Sequence, residues 1–512
     1  MRKLLLLGLL SLLLLPVSLS QQVDLKALDA YFTQVQQDWE IPGMSIAIVK
    51  DGKQVFSKGY GVAELGKNTP VDGNTLYAIA SNSKAFTSAT MATLVQEGTL
   101  SWDDKVKSYL PYFEVYDPWV SQQVSVRDLL SHRVGLGTFS GDIMWYNVEL
   151  SSEEIIKRIK YVPQAFEFRA GYGYSNLMFI TAGELIRVVT GKTFGENVQE
   201  RFLDPLGMDR TIYLLSELET KGNYATPHAF FDGEHYPIQW TSWEEIAATG
   251  GMISSVNDLS KWMIFNMDHG IHEGDTLLTA DSRNMVWTPH NTRIVDHTTP
   301  NDFKRNFSGY GLGWGLSDYH GQFRVAHTGG YDGMITSVDM LPDVKLGVVV
   351  LTNGMKSPIR AVSQYVMDAY LGVEPKDWSK ILLDRRNEGL ANDTRIQSRK
   401  DSRVPNTTPS LPLSAFVGTY HADLYGHMYV KEEDRKLTIS FEHTPVLAAN
   451  LEHWHYDTFK LDWSSDYEHA WFSFGTVQFL IDHNRRVSGI AFDVPNDDFF
   501  FEEINARKVE EK

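Results

Sequence analysis

The sequence predicts an α/β unit, in which an antiparallel sheet meets a helical region, followed by a small all-β, barrel-like domain. Three observations predict it. Strand patterns stand at both ends of residues 23–371, with helical patterns between them. A polar segment at 372–410 then interrupts the apolar patterning. After it, about eight short apolar runs alternate with turn residues over 411–505, the pattern of a small antiparallel barrel or sandwich.

The elements follow in order. Leu25, Leu28, Phe32, Val35 and Trp39 recur at helical spacing, and Ile41-Pro42-Gly43 ends that pattern. Residues 44–49 and 54–60 read as strands around Asp51-Gly52, a tight hairpin signal. Helical patterns occupy 84–96 and 176–190. Strand character returns at 323–326, 335–341 and 346–351, the last two joined at Pro342-Asp343. Strands from both termini therefore share one sheet. The stretch 385–409 is charged and poor in aromatics, as a linker is. Strand runs follow at 416–420, 427–431, 437–441, 458–463, 470–474, 477–481, 487–492 and 499–503.

Charge and composition exclude several functions. Lys and Arg number 47 against 65 Asp and Glu, a net charge of −18. Such a surface repels phosphate backbones, and no basic stripe reverses it, so no nucleic-acid partner is expected. The chain has no cysteine, which removes disulfides, thiolate zinc sites, iron–sulfur clusters and a thiol nucleophile together. Arg2 and Lys3 precede an almost pure leucine run at 4–15, then Pro16 and Ser18-Leu19-Ser20 ahead of Gln21. This is the layout of a secretory signal peptide over 1–20. The run is shorter than the roughly 20 residues a spanning helix needs. The expectation is export, to the periplasm or outside the cell, with no membrane span after cleavage.

Three short motifs carry the chemistry. The first is Ser81-Asn82-Ser83-Lys84, placed at the start of a helical pattern. There the helix dipole and free N–H groups favour developing negative charge. Ser81 and Lys84 share one helix face, and a serine hydroxyl needs such a neighbouring base to become a nucleophile. The second is Tyr174-Ser175-Asn176, after Gly171 and Gly173 in a loop. A tyrosine beside an ammonium group can ionise below its free pKa and act as general base. Asn176 can orient a lysine or a substrate amide, or simply cap the helix that follows. The third is His327-Thr328-Gly329-Gly330, directly after the strand at 323–326. Its glycines let a substrate backbone approach the strand edge, and the N–H of Gly330 can pair with that of Ser81 as an oxyanion hole. His327 can donate to Tyr174 or touch the substrate. Each motif alone has an ordinary structural explanation; the three in this order do not.

Together these motifs resemble those of serine β-lactamases and penicillin-binding proteins. The tyrosine of the second motif is similar to the class C β-lactamase branch. Histidine opens the third motif where lysine is usual, as in the wider group of β-lactamase-related serine hydrolases that includes esterases and D-aminopeptidases. The run Arg127-Asp128-Leu129-Leu130-Ser131-His132-Arg133-Val134-Gly135-Leu136 resembles that group's Leu-Leu-Ser-His-Thr-Ser-Gly-Leu segment and departs from it at Arg133 and Val134. The resemblance covers 23–371 and implies a β-lactamase/transpeptidase-like domain. The tail, with Gly418-Thr419-Tyr420 and Tyr425-Gly426, is similar to the lipocalin-like β-domain of some members. The resemblance implies an exported serine hydrolase with no metal and no cofactor. Ser81 is acylated, Lys84 and Tyr174 share the proton, and the N–H groups of Ser81 and Gly330 hold the oxyanion. Asn176, Thr328 and Gly329 bind a small ester, amide or peptide. Other outcomes are a true β-lactamase, a penicillin-binding sensor acylated without turnover, and a homo-oligomer formed through the β-domain.

Two rivals leave weaker traces. His453-Trp454-His455-Tyr456-Asp457 begins like a metallo-hydrolase run, but Thr458 stands where a further histidine belongs. Gly173-Tyr174-Ser175-Asn176-Leu177 begins like a nucleophile elbow and lacks its final glycine.

Overall fold

The computed structural model describes residues 23–297 and 303–510. The signal peptide read at 1–20 lies outside the described residues. Helix α1 (Leu25–Asp38) starts at Asp24, whose carboxylate accepts from the N–H groups of Lys26 and Ala27. It buries Leu28, Phe32 and Val35, one stripe at helical spacing. Strands β1 (Gly43–Lys50) and β2 (Lys53–Gly61) form the hairpin. Asp51 and Gly52 turn it with φ of 52° and 75°, the left-handed pair that a two-residue hairpin requires.

Two long helices follow, α2 (Ser83–Gln96) and α3 (Asn176–Thr190). The chain later packs α4 (Val256–Met267) and returns as β3 (Asn291–Thr292), β4 (Ser308–Tyr310), β5 (Gly315–Tyr319), β6 (Gln322–Tyr331), β7 (Met334–Leu341) and β8 (Leu346–Thr352). The sheet order is β2-β1-β8-β7-β6-β5-β4-β3, antiparallel throughout. Strands from the two ends of the unit meet at β1 and β8, with Met44 opposite Thr352. Both are buried almost along their whole length because both sheet faces are covered. Helix α1 and α5 (Ile359–Leu371) cover one face, and α4 covers the other.

The third motif is the main departure from the sequence reading in this sheet. The strand read at 323–326 runs on to Tyr331, so His327 to Gly330 lie inside β6. Pairing with β5 stops at Gly315–Ala326, while pairing with β7 continues to Tyr331. Residues 327–331 therefore have a partner strand on one side only. Their other edge faces the turn before α2.

The segment 372–410 is largely helical, with α6 (Trp378–Asn392) and α7 (Arg395–Asp401). Neither shows an apolar stripe, because α6 buries only Trp378 and Ser379 and α7 buries nothing. Helix α7 is tied to the last domain by ion pairs, Arg395 to Asp497 at 2.6 Å and Arg399 to Asp493 at 2.7 Å.

The last domain is a closed barrel of β9 (Gly418–Ala422), β10 (Gly426–Glu433), β11 (Lys436–Phe441), β12 (Ala448–His455), β13 (Thr458–Trp463), β14 (Thr476–Ile481), β15 (Val487–Asp493) and β16 (Ala506–Lys508). Strand β16 pairs with both β9 and β15 and closes it. Two runs read as strands are not. Residues 470–474 overlap helix α8 (Asp466–Trp471), whose Ser465 cap accepts from the Glu468 N–H. Residues 499–503 end in a helical turn, Phe501–Glu503. Both segments sit where the barrel docks on the first domain. The Glu503 carboxylate accepts from the Gly141 N–H at 2.7 Å and from the Ser140 hydroxyl. Tyr467 donates to Asp332 at 2.9 Å, and the ring of Phe499 lies 4.6 Å from that of Tyr146.

Candidate active site

Ser81 stands in a short turn, Ala80–Asn82, that leads directly into α2. Ala80 holds φ at 47°, an unfavourable region for alanine, so backbone strain sits immediately before the serine. One helical turn on, Lys84 is fully buried. Its Nζ lies 3.0 Å from Ser81 Oγ, 2.8 Å from Asn176 Oδ1 and 2.8 Å from the Thr249 carbonyl. Burial pulls its pKa down to about 7, against the opposing pull of the Asp142 charge.

Asn176 opens α3 but caps nothing. Its oxygen receives Lys84 and the Thr249 hydroxyl, and its Nδ2 donates to Asp142 Oδ2 at 2.6 Å. Burial raises the Asp142 carboxyl to about 8. Ser81, Lys84, Asn176 and Asp142 thus form one connected polar chain through the core. Tyr174 lies over the lysine, its ring 4.9 Å from Nζ, with Ser81 acting to lower its pKa. Burial holds this phenol far above its ordinary pKa, so the expected ionised tyrosine gives way to a neutral one.

His327 also departs from expectation. Its Nδ1 lies 2.6 Å from the Thr328 carbonyl, an acceptor only, so Nδ1 carries the proton. Its Nε2 then accepts from the Tyr310 hydroxyl at 2.9 Å. Burial lowers its pKa to about 3, and the neutral ring is engaged with Tyr310 instead of Tyr174. A fixed positive charge enters the cleft from elsewhere. The Arg293 guanidinium lies 4.3 Å and 5.2 Å from the rings of Tyr172 and Tyr310.

Thr328 and Gly330 line the cleft on the open edge of β6, with Ser81 opposite. Gly329 points the other way. A Cβ there would meet the Ile79 carbonyl at 2.2 Å and Thr336 Oγ1 at 2.6 Å, so this glycine lets the strand approach the turn that carries Ser81. A Cβ on Gly330 would meet only Ile335, at 3.7 Å. Gly329→Ala is therefore expected to destabilise the fold by roughly 1–3 kcal/mol and to displace Ser81. Gly330→Ala should leave the melting temperature unchanged. Thermal unfolding of the two variants checks this.

The structure brings together Ser81, Tyr174, Asn176, His327, Thr328 and Gly330 around one cleft of about 610 Å³, with Lys84 buried beneath Ser81 and Gly329 behind the strand edge. The sequence reading missed Asp142, Thr249, Arg293 and Tyr310, each a single residue delivered by a different segment. His132 supports the site from beneath. It is buried, its Nδ1 accepts from the Ser175 N–H at 3.0 Å, and its ring lies 4.2 Å from that of Tyr174. Arg133 turns away to a buried pair with Asp128 at 2.7 Å, which Arg169 shares. In the barrel, His455 and Asp457 accept from the backbone N–H groups of Val404 and Ser410, so this run fastens the incoming segment.

Comparisons with known proteins agree with this geometry. Residues 402–508 match a family described as a domain of unknown function, DUF3471. The unguisins hydrolase ungD′ of Aspergillus campestris is 29% identical over 435 residues, covering 80% of this chain and 79% of that protein. Protein flp of Staphylococcus aureus is 26% identical over 338 residues, covering 62% of this chain and 60% of that protein. Among solved structures, the octameric penicillin-binding protein homologue from Pyrococcus abyssi aligns with a TM-score of 0.60 at 21% identity, over 95% of this chain and all of that one. SurE aligns with a TM-score of 0.55 at 19% identity, over 94% and 99%. Residues 28–371 match the family described as Beta-lactamase, the stretch that holds Ser81, Lys84, Tyr174, Asn176 and His327. The chain is a hydrolase of this fold and belongs to the β-lactamase family.

Proposed function

We propose that this hydrolase works through Ser81, taking the acyl group of a small ester, amide or peptide and releasing it to water. The surroundings of Lys84 carry the reading. A neutral amine has two protons and one lone pair. Two of its three partners can accept its protons, Asn176 Oδ1 and the Thr249 carbonyl. The lone pair is then left for the Ser81 hydroxyl proton. Burial keeps much of the amine neutral near pH 7, as a general base requires.

The steps follow from that arrangement. Ser81 Oγ attacks the acyl carbon as its proton passes to Lys84 Nζ. The N–H groups of Ser81 and Gly330 receive the oxyanion. The neutral Tyr174 hydroxyl hands a proton to the departing oxygen or nitrogen and recovers one from Lys84. Water then attacks the Ser81 ester by the reverse relay and frees the acid. The hydrolase name of the Aspergillus relative supports hydrolysis as the outcome.

The test is p-nitrophenyl butyrate. The full chain is expected to release many equivalents of p-nitrophenol, with a transient butyryl ester on the peptide containing Ser81, read by mass spectrometry. One equivalent followed by a permanent adduct would show a sensor instead. Steady release with acyl groups on no serine would sink the mechanism.

A further inference from the structure

One arm of the cleft is built by both domains. It leaves Ser81 past Gly330 and ends at Asp332, just beyond β6. Trp145 and Trp243 wall it from the first domain, and Trp471, Asp498 and Phe499 from the barrel. The walls are continuous. Ring centres lie 5.3 Å apart for Trp145 and Trp243, 4.8 Å for Trp243 and Tyr331, and 5.7 Å for Trp145 and Phe499.

The charge in this arm is negative. Asp332 is only 7% exposed, and Tyr467 from the barrel donates to its Oδ1 at 2.9 Å. Its Oδ2 is buried and has no partner. Asp498 stands half-buried on the same arm and makes no ion pair among the described residues. A buried carboxylate oxygen without a donor is costly, and native proteins rarely leave one so. A cationic donor would satisfy it, and indole faces favour the same charge.

The location fixes which part of a substrate reaches this arm. Asp332 stands two residues after Gly330, in the turn that ends β6, at most about 7 Å away. An acyl carbon held between Ser81 and Gly330 therefore places substituents of the acyl group, a few bonds on, beside Asp332. We propose that the arm is a subsite for a protonated amine carried on the acyl part of the substrate, an inference that rests on the serine-hydrolase reading of Ser81. Asp332 receives the ammonium, Asp498 adds the second charge, and the barrel thereby selects among acyl donors. The same chemistry is offered by an α-amine and by an amine further along the acyl chain.

Binding can be measured without turnover, in the full-length Ser81→Ala chain by calorimetry. The probes are both enantiomers of alanine ethyl ester against ethyl propionate, and γ-aminobutyrate ethyl ester against ethyl butyrate. At least one amine ester is expected to bind about tenfold more tightly than its amine-free counterpart. The pair that shows it locates the amine. Adding Asp332→Asn should abolish the preference, and adding Asp498→Asn should weaken it. Equal binding within both pairs, or a preference that survives both variants, overturns the proposal. If the Asp332 variant does not fold, the half-buried Asp498 variant decides alone. Failure of the serine mechanism is read separately, as undiminished p-nitrophenyl butyrate turnover by Ser81→Ala.

Discussion

Ser81→Ala is expected to lower kcat for p-nitrophenyl butyrate by about 10⁴-fold or more, the scale seen when a nucleophilic serine is removed from a preorganised site. The loss should fall on kcat, because the alanine leaves the cleft walls and the N–H groups of residue 81 and Gly330 in place. Substrate binding should change little. The variant should also fold. Ser81 is partly exposed, and Lys84 keeps Asn176 and the Thr249 carbonyl as partners. Steady-state kinetics with a melting curve check both statements. Turnover within tenfold of the parent would remove Ser81 from the reaction.

The second large effect is expected at Lys84. Lys84→Met should lower kcat/KM by about 10²- to 10⁴-fold, the usual worth of a general base. The pH profile separates this from simple misfolding. Only the neutral amine can take the Ser81 proton, and burial puts its pKa at about 7. Activity in the parent should therefore rise with pH through about 7, and this limb should be absent from the residual rate of the methionine variant. Lys84→Arg should not restore activity, since a guanidinium keeps its proton throughout this range. A limb that persists in the methionine variant would assign it to another group.

The difference in how these residues were found is physical. Ser81 with Lys84, and Tyr174 with Asn176, are fixed relative to each other by local backbone, so spacing alone exposes them. Helix α3 is legible for a similar reason: an apolar pattern runs unbroken to Gly191, which ends the helix with φ at 72°. Asp142, Thr249 and Arg293 have no local signature, because only the packing of distant segments brings them to the cleft. Glycines disfavour strands in general, which is why the strand reads as ending at 326. Here the close approach of Ile79 makes Gly329 the residue that fits inside a strand. Strand β12 is hidden by its polar Asn450, Glu452, His453 and His455, though Ala449 and Leu451 alternate inward. The aromatics at 470–474 read as a strand because they are apolar, yet Ser465 and Glu468 already spell a helix start.

The shared arm divides the protein's inheritance in two. The proposed nucleophile, base and oxyanion donors all lie between residues 81 and 330. Trp471, Asp498 and Phe499 reach the same cleft from the separate barrel domain. Substitutions in the two docking loops of that module can redraw substrate preference while the reacting groups stay as they were. On the proposed reading, choice of substrate and the making and breaking of bonds thus sit on separate domains of the chain.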